Sequence, residues 1–306
     1  MTFPVHRVDR RRAQQVEPLG SKRKFWYRDD ERRLLFKAED RGTGEDWAEV
    51  VSCHLCRLLG LPHVEYELAS EFDNDTLVRP GVICANMALP PDTLVLGNQL
   101  LLSLDWDYPS TQRFKVKQHT VEAVETVVSG LKPPSSNWMT HVPSGIRTSF
   151  DVFVGYLLLD VWIANQDRHH ENWGAIWDGE ALRLSPTFDH GAALARNLLD
   201  TERADRLRTN NQNRSLAAFA TRARSAFFGS VLDSRTLPLL DAFLLFAQQS
   251  RTAAAIWLNR LQAVNMSAVS SILDEVPVER MSTICRDFTL NLLEANRQRV
   301  LKLELK

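Results

Sequence analysis

Cysteine is scarce: Cys53, Cys56, Cys84 and Cys285 are the only four in a chain of 306 residues. They are too few and too scattered for a disulfide framework. Stability has to come from a packed core, and a chain of this length and hydrophobic content can build a sizeable one. Net charge is almost absent as well, since 37 Lys and Arg against 38 Asp and Glu leave -1 at pH 7. The molecule as a whole therefore lacks the electrostatic signature of a nucleic-acid or membrane-surface binder. The longest apolar run, Val152 to Ala164, is interrupted by Asp160 and falls short of the roughly 18 to 20 residues that span a bilayer. The opening "MTFPVHRVDRRRAQQ" is basic, but no apolar segment follows it, so it does not read as a secretory signal. Internal repeats and low-complexity tracts are also missing. These absences lead to the expectation of a soluble, cytoplasmic protein without membrane or direct nucleic-acid contacts. Residues 1–16 read as a solvated basic arm.

What is present divides into two characters. "KFWYRDDERRLLFKA" (24–38) reads as two strands around a charged turn, and "WAEVVSCHLCRLL" (47–59) as a helix stopped by Gly60 and Pro62. That helix places Cys53 and Cys56 on one face, as buried or semi-buried thiols rather than half of a zinc site. "VEYELASEF", "LVRPGVICANM" and, more weakly, "DTLVLGNQLLLSL" look like further strands. Residues 105–118 show no pattern. Beyond Thr120 the chain turns helical, with "SFDVFVGYLLLDVWIAN" apolar on nearly all sides. Two short strands, "WGAIW" and "ALRLS", then form a hairpin. The polar stretch "RNLLDTERADRLRTNNQNRS" reads as a long surface loop. The expected class is α+β: a small β-rich N-lobe over 17–104 and a larger helical C-lobe over 105–306.

Chemistry concentrates in "NQDRHHENW" and "TFDHG". Asp167 and Asn172 stand five positions apart after the apolar helix, and Asp189 follows the hairpin, beside His190 and Gly191. Acid, amide, strand pair, acid in that order is the arrangement that phosphoryl transfer of the protein-kinase type requires. Oxygen donors of this kind suit Mg²⁺, a hard ion that keeps part of its water shell. Such a site needs a cation for the phosphates. Lys37, at the end of "RLLFK", is the candidate, with Glu49 in the next helix as its partner. "EPLGSKRKF" offers Gly20, Ser21 and Lys22, followed by Arg23 and Lys24, as a short lid over phosphates.

Taken together, "LLFKAEDRGTGEDWAEVVSCHLCRLLGLPHVEYELA", "NQDRHHENWGAIW" and "LSPTFDHG" resemble the HipA-like serine/threonine kinases, the group of HipA toxins and CtkA-type secreted kinases. The likeness runs over about residues 17 to 300 and implies a two-lobed, protein-kinase-like fold that uses ATP and Mg²⁺. It implies Asp167 as catalytic base, Asn172 and Asp189 as magnesium ligands, Lys37 as the phosphate-binding lysine with Glu49 as its partner, and His169 as the histidine that shapes the loop. The nucleotide base would stack near "TLVLG", which includes Leu96. Two departures stand out. HipA toxins carry an extra subdomain ahead of the kinase core, for which this sequence leaves no room; some short relatives receive it from a separate protein, so a small antitoxin or partner subunit stays an open question. "VEPLG" has Glu17 where some relatives have a regulatory serine, and Ser21 is the nearest hydroxyl for autophosphorylation.

Each of these residues also has a plainer reading. A lone loop Asp or Asn more often caps a helix or makes an Asx turn. Zinc at His169, His170 and His190 would need convergent geometry, which adjacent His169 and His170 do not offer. Two further readings stay open: a catalytically silent kinase-fold regulatory module, and a small-molecule or lipid kinase. The expected substrate is a protein, either an aminoacyl-tRNA synthetase or another translation protein, or a host protein if the chain acts as an effector.

Overall fold

The structure, a computed structural model, describes residues 2–17, 23–30 and 32–303. Its first part is a six-stranded sheet. In chain order the strands are β1 (Val5–Asp9), β2 (Gln15–Val16), β3 (Lys24–Asp29), β4 (Arg32–Ala38), β5 (Tyr66–Asp73) and β6 (Thr76–Ala85), and in space the order is β1-β5-β6-β4-β3-β2. Helix α1 (Glu45–Leu59) packs against β5 and β6 and ends at Gly60. Gly60 has φ +78°, and a Cβ there would lie 2.3 Å from the His141 carbonyl oxygen, so the stop predicted from sequence has a steric cause.

Alternation in the β3–β4 hairpin fixes which side chains face where. Phe25, Tyr27, Leu34, Phe36 and Ala38 join one buried cluster. Trp26, Leu35 and Lys37 take the opposite face by the period of two.

The solvated arm expected over residues 1–16 is instead part of this sheet. Val5–Asp9 pairs in parallel with Leu68–Phe72. Val8 is buried in the sheet cluster, His6 bonds Glu67, and Arg7 bonds Asp75 and stacks 4.1 Å over Phe72. His6, Arg7 and Arg10 have partners on β5 and the β5–β6 turn, while Arg11 bonds Asp9 and Arg12 bonds Asp29, which a charge count does not reveal.

The second part is helical. Helix α4 (Ser149–Trp162) is buried along almost its whole length, starts at a Thr148–Asp151 capping box, and packs on α7 (Leu239–Gln249), α8 (Arg251–Gln262) and α10 (Thr283–Leu301). A burial pattern this even matches its lack of a polar face. A three-stranded sheet sits beside it: β7 (Thr93–Leu96), β8 (Gly174–Trp177) and β9 (Leu182–Leu184), in that order. Thr93–Leu96, assigned to the N-lobe from sequence, thus completes a sheet with C-lobe strands, and Gly97–Leu104 after it is helix α2, not strand. The expected loop around residue 205 contains helix α5 (Asp200–Arg208), which packs on α10. No helix among the described residues is long and apolar enough to cross a membrane.

Candidate active site

The cleft face of the first sheet looks across to the β8–β9 hairpin, and the sequence-predicted residues gather there. Lys37 Nζ lies 2.5 Å from Glu49 Oε1 and 3.0 Å from Asp189 Oδ1. Both Lys37 and Glu49 are buried. The other Glu49 oxygen accepts the His190 backbone N–H at 2.8 Å, which ties helix α1 to the loop that carries Asp189. Burial alone would lower the lysine's pKa, but Asp189 and Glu49 outweigh it, so the ammonium is held well above its ordinary value and stays charged. The Tyr66 ring lies 5.1 Å from Lys37 Nζ, and its hydroxyl takes the Asp189 N–H at 3.4 Å. Asp189 itself has φ +59°, a left-handed conformation that Asp tolerates better than most residues.

Asn172 donates through Nδ2 to the Asp167 carbonyl oxygen at 2.7 Å. This closes the loop between the two residues and leaves the amide oxygen, with its lone pairs, as the atom Asn172 can offer to a metal ion. Asp167 lines a neighbouring opening that shares Arg113 with the Lys37 cleft; about 35% of its side chain is exposed, and His169 Nε2 is 3.7 Å from its Oδ1. Burial, and then Arg113, hold the His169 pKa down to about 3. The ring is therefore neutral near pH 7. His170 is buried too, and bonds the Tyr108 hydroxyl at 2.7 Å, away from Asp167.

The cleft is an open concavity lined by residues of both parts of the chain. Leu35, Cys84, Met87, Leu94, Leu96 and Phe188 form apolar walls, while Lys24, Lys37, Asn172 and Asp189 supply polar groups. Leu96 thus lies where the sequence placed it. Gly20, Ser21 and Lys22 lie outside the described residues. A second opening of about 710 Å³ adjoins Asp167 and His169, and Arg113 borders both spaces.

Sequence reasoning missed the residue that holds the two motifs together. Arg168, 1% exposed, donates to both Asp160 oxygens at 2.6 and 2.7 Å, to the Asn172 carbonyl at 3.1 Å and to Thr187 Oγ1 at 2.9 Å. Asp160 also accepts from Asn165 at 2.8 Å. A signal was present: an acid inside an apolar helix requires a buried cation, and Arg168 follows eight positions later. Lys24, read both as the end of the lid and as the start of the first hairpin strand, opens β3 and lies 4.0 Å from Asp189.

No protein-family model matches the chain, and no curated protein matches it. Among solved structures it is similar to the Helicobacter pylori proinflammatory kinase CtkA. The TM-score is 0.72 at 19% identity, over 98% of this chain and 100% of that one. It is also similar to HipA in the Shewanella oneidensis complex of HipA, HipB and operator DNA, with a TM-score of 0.54 at 10% identity, over 95% of this chain and 68% of that one. At such identities the likeness is one of fold, and the mixed sheet-then-helix architecture described above is the HipA/CtkA kinase-like fold.

Proposed function

We propose that the chain is an ATP- and Mg²⁺-dependent phosphotransferase of the HipA-like type that acts on a serine or threonine hydroxyl of a protein, itself included. The observation that carries this reading is the buried Lys37, held between Glu49 and Asp189 in a cleft that also receives Asn172, whose amide bonds the Asp167 carbonyl. Phosphoryl transfer asks the protein mainly for positioning and charge, and these residues offer both. The apolar walls suit a flat base, and Lys37 suits the phosphates.

The donor set fits Mg²⁺, because a carboxylate on Asp189 and an amide oxygen on Asn172 are hard ligands. When bound, the ion supplies neutralisation of phosphate charge. Asp167 orients the acceptor hydroxyl and takes its proton as the oxygen bonds to the γ-phosphorus and ADP departs. His169, neutral at pH 7, does not compete for that proton and shapes the loop around Asp167. Arg168 sets the distance between the Asn172 and Asp189 loops.

For the acceptor, a translation protein such as an aminoacyl-tRNA synthetase, or a host protein, remains the substrate to seek. The similar HipA structure contains HipB, which supports a search for a small antitoxin-like partner. Incubation with labelled ATP, Mg²⁺ and a cell lysate tests the reading. Labelled protein bands that disappear in Asp167→Asn are expected. Label confined to small molecules would exclude a protein kinase, and nucleotide binding without any label would point to a silent regulatory module.

A further inference from the structure

Behind the cleft, at the corner between α1 and β5, three potential metal ligands converge without a role in the proposed transfer. Cys53 Sγ, a His63 ring nitrogen and a Glu65 oxygen all lie within 4.8 Å of one another. Ligand atoms held at about 2.0 to 2.3 Å from zinc in a tetrahedral set are about 3.3 to 3.7 Å apart. The cluster needs only small side-chain movements to match that spacing. Cys53 Sγ is already 3.2 Å from Glu65 Oε2.

His63 supplies the second observation. Its Nδ1 is 2.6 Å from the Leu61 carbonyl oxygen, an acceptor only, so Nδ1 carries the proton. With that nitrogen as the donor, Nε2 is the ring atom left to bind an ion. That atom is buried and makes no hydrogen bond, although Glu65 Oε1 lies 3.1 Å away. The two atoms are close enough for one cation, a proton or a metal ion, to be shared between them. A ring nitrogen fixed by a backbone carbonyl, with the other aimed at a carboxylate, is the usual arrangement around a metal-bound histidine. His63 and Glu65 also line an open pocket with about 830 Å³ of free space, through which an ion has access.

We propose that Cys53, His63 and Glu65 form a binding site for a divalent transition metal of the zinc class, independent of the nucleotide cleft. Binding replaces the Cys53 S–H bond with a sulfur–metal bond and releases that proton to solvent, while His63 and Glu65 bind without losing one. Arg57, which donates to both Glu65 oxygens, is the competitor for the carboxylate. The site also touches the catalytic half of the molecule through backbone. Val64 N–H donates to the Thr187 carbonyl at 3.0 Å, and Thr187 N–H to the Pro62 carbonyl at 2.9 Å, two residues before Asp189. A metal at Cys53, His63 and Glu65 therefore braces the segment against which the TFDHG loop is hung.

The test uses the full chain, stripped with a chelator and titrated with Co²⁺ as a spectroscopic substitute for Zn²⁺. The expected result is one equivalent bound, a thiolate-to-cobalt charge-transfer band and one proton released per ion. The band should vanish in Cys53→Ser and His63→Gln, persist in Cys285→Ser, and be bleached by Zn²⁺. Arg57→Gln should tighten binding about tenfold by removing the competing charge. No thiolate band in the native protein, or an undiminished band in His63→Gln, overturns the proposal. His63 would then be a protonated partner of Glu65 in a simple ion-pair corner. Should Cys53→Ser fail to fold, His63→Gln, at the rim of the pocket, decides alone.

Discussion

Asp167 and Asp189 are chemically identical and physically unlike. Asp167 is about 35% exposed and has a neutral imidazole beside it, whereas Asp189 is in contact with the Lys37 ammonium. The first is suited to receive a proton and the second to remain an anion. Asp167→Asn should therefore cut phosphoryl transfer by about 10² to 10⁴-fold with nucleotide affinity nearly unchanged, as measured by calorimetric titration. Asp189→Asn should weaken Mg²⁺-nucleotide binding as well, and equal loss of binding in both variants would contradict this division. Lys37→Ala should reduce affinity and rate together. At Arg168 the consequence is structural, since Arg168→Met strands Asp160 in the core, and breaking a buried pair costs about 3 to 5 kcal/mol. Urea denaturation would read this directly. The sequence made Asp167, Asn172, Asp189, Lys37 and Glu49 legible because each belongs to a spaced motif. Arg168 hid inside the same motif, since its role depends on Asp160 one helix earlier and on Thr187 across the hairpin.

Among the elements, strand β4 has the strictest neighbours because it carries Lys37 to the cleft. Ala38 pairs with Gly81 on β6. A Cβ on Gly81 would lie 2.3 Å from the Lys37 carbonyl oxygen and 2.8 Å from the Phe36 ring. Gly81→Ala must push β6 away from β4, which should destabilise the protein by about 1 to 3 kcal/mol and lower nucleotide affinity by moving Lys37. Loss of stability with an unaltered affinity would show that the lysine is held by Glu49 alone. Legibility at this scale followed periodicity. The β3–β4 hairpin, α1 and α4 show it, and were read correctly. Helix α5 does not, because it is anchored by capping and by Arg203, a buried guanidinium that donates to the Arg196 carbonyl at 2.9 Å, instead of by an apolar stripe. Strand β1 escaped notice because its partner lies some sixty residues ahead, and short strands with such distant partners leave only a charge pattern in the local sequence.

Over the whole molecule, buried histidines set the response to acid. Burial lowers the pKa of His119 to about 4, and that of His170, with Arg113 adding to the effect, to about 4. His169 falls to about 3. In the unfolded chain each would titrate near 6.5, so below that pH the unfolded state takes up protons that the folded state refuses. The stability from neutral burial is complete above about pH 6.5 and declines as pH falls toward 4, by about 1.4 kcal/mol per pH unit for each fully buried ring. Urea midpoints near pH 7.5 and 5.5 should differ accordingly, and His119→Gln should flatten the slope. A midpoint independent of pH would mean that these rings charge in place.

The tie between the first and last parts of the chain also has a kinetic meaning. Phe3 is buried beside His54, and its N–H bonds the carbonyl of Glu275 at 2.7 Å. Residue 3 is therefore made long before residue 275, the partner that its N–H needs. Strand β1 can find β5 sooner, but the clasp at Phe3 closes only after residue 275 has been made. Until then Phe3 and its N–H lack their native partner, and that part of the nascent chain is open to other proteins.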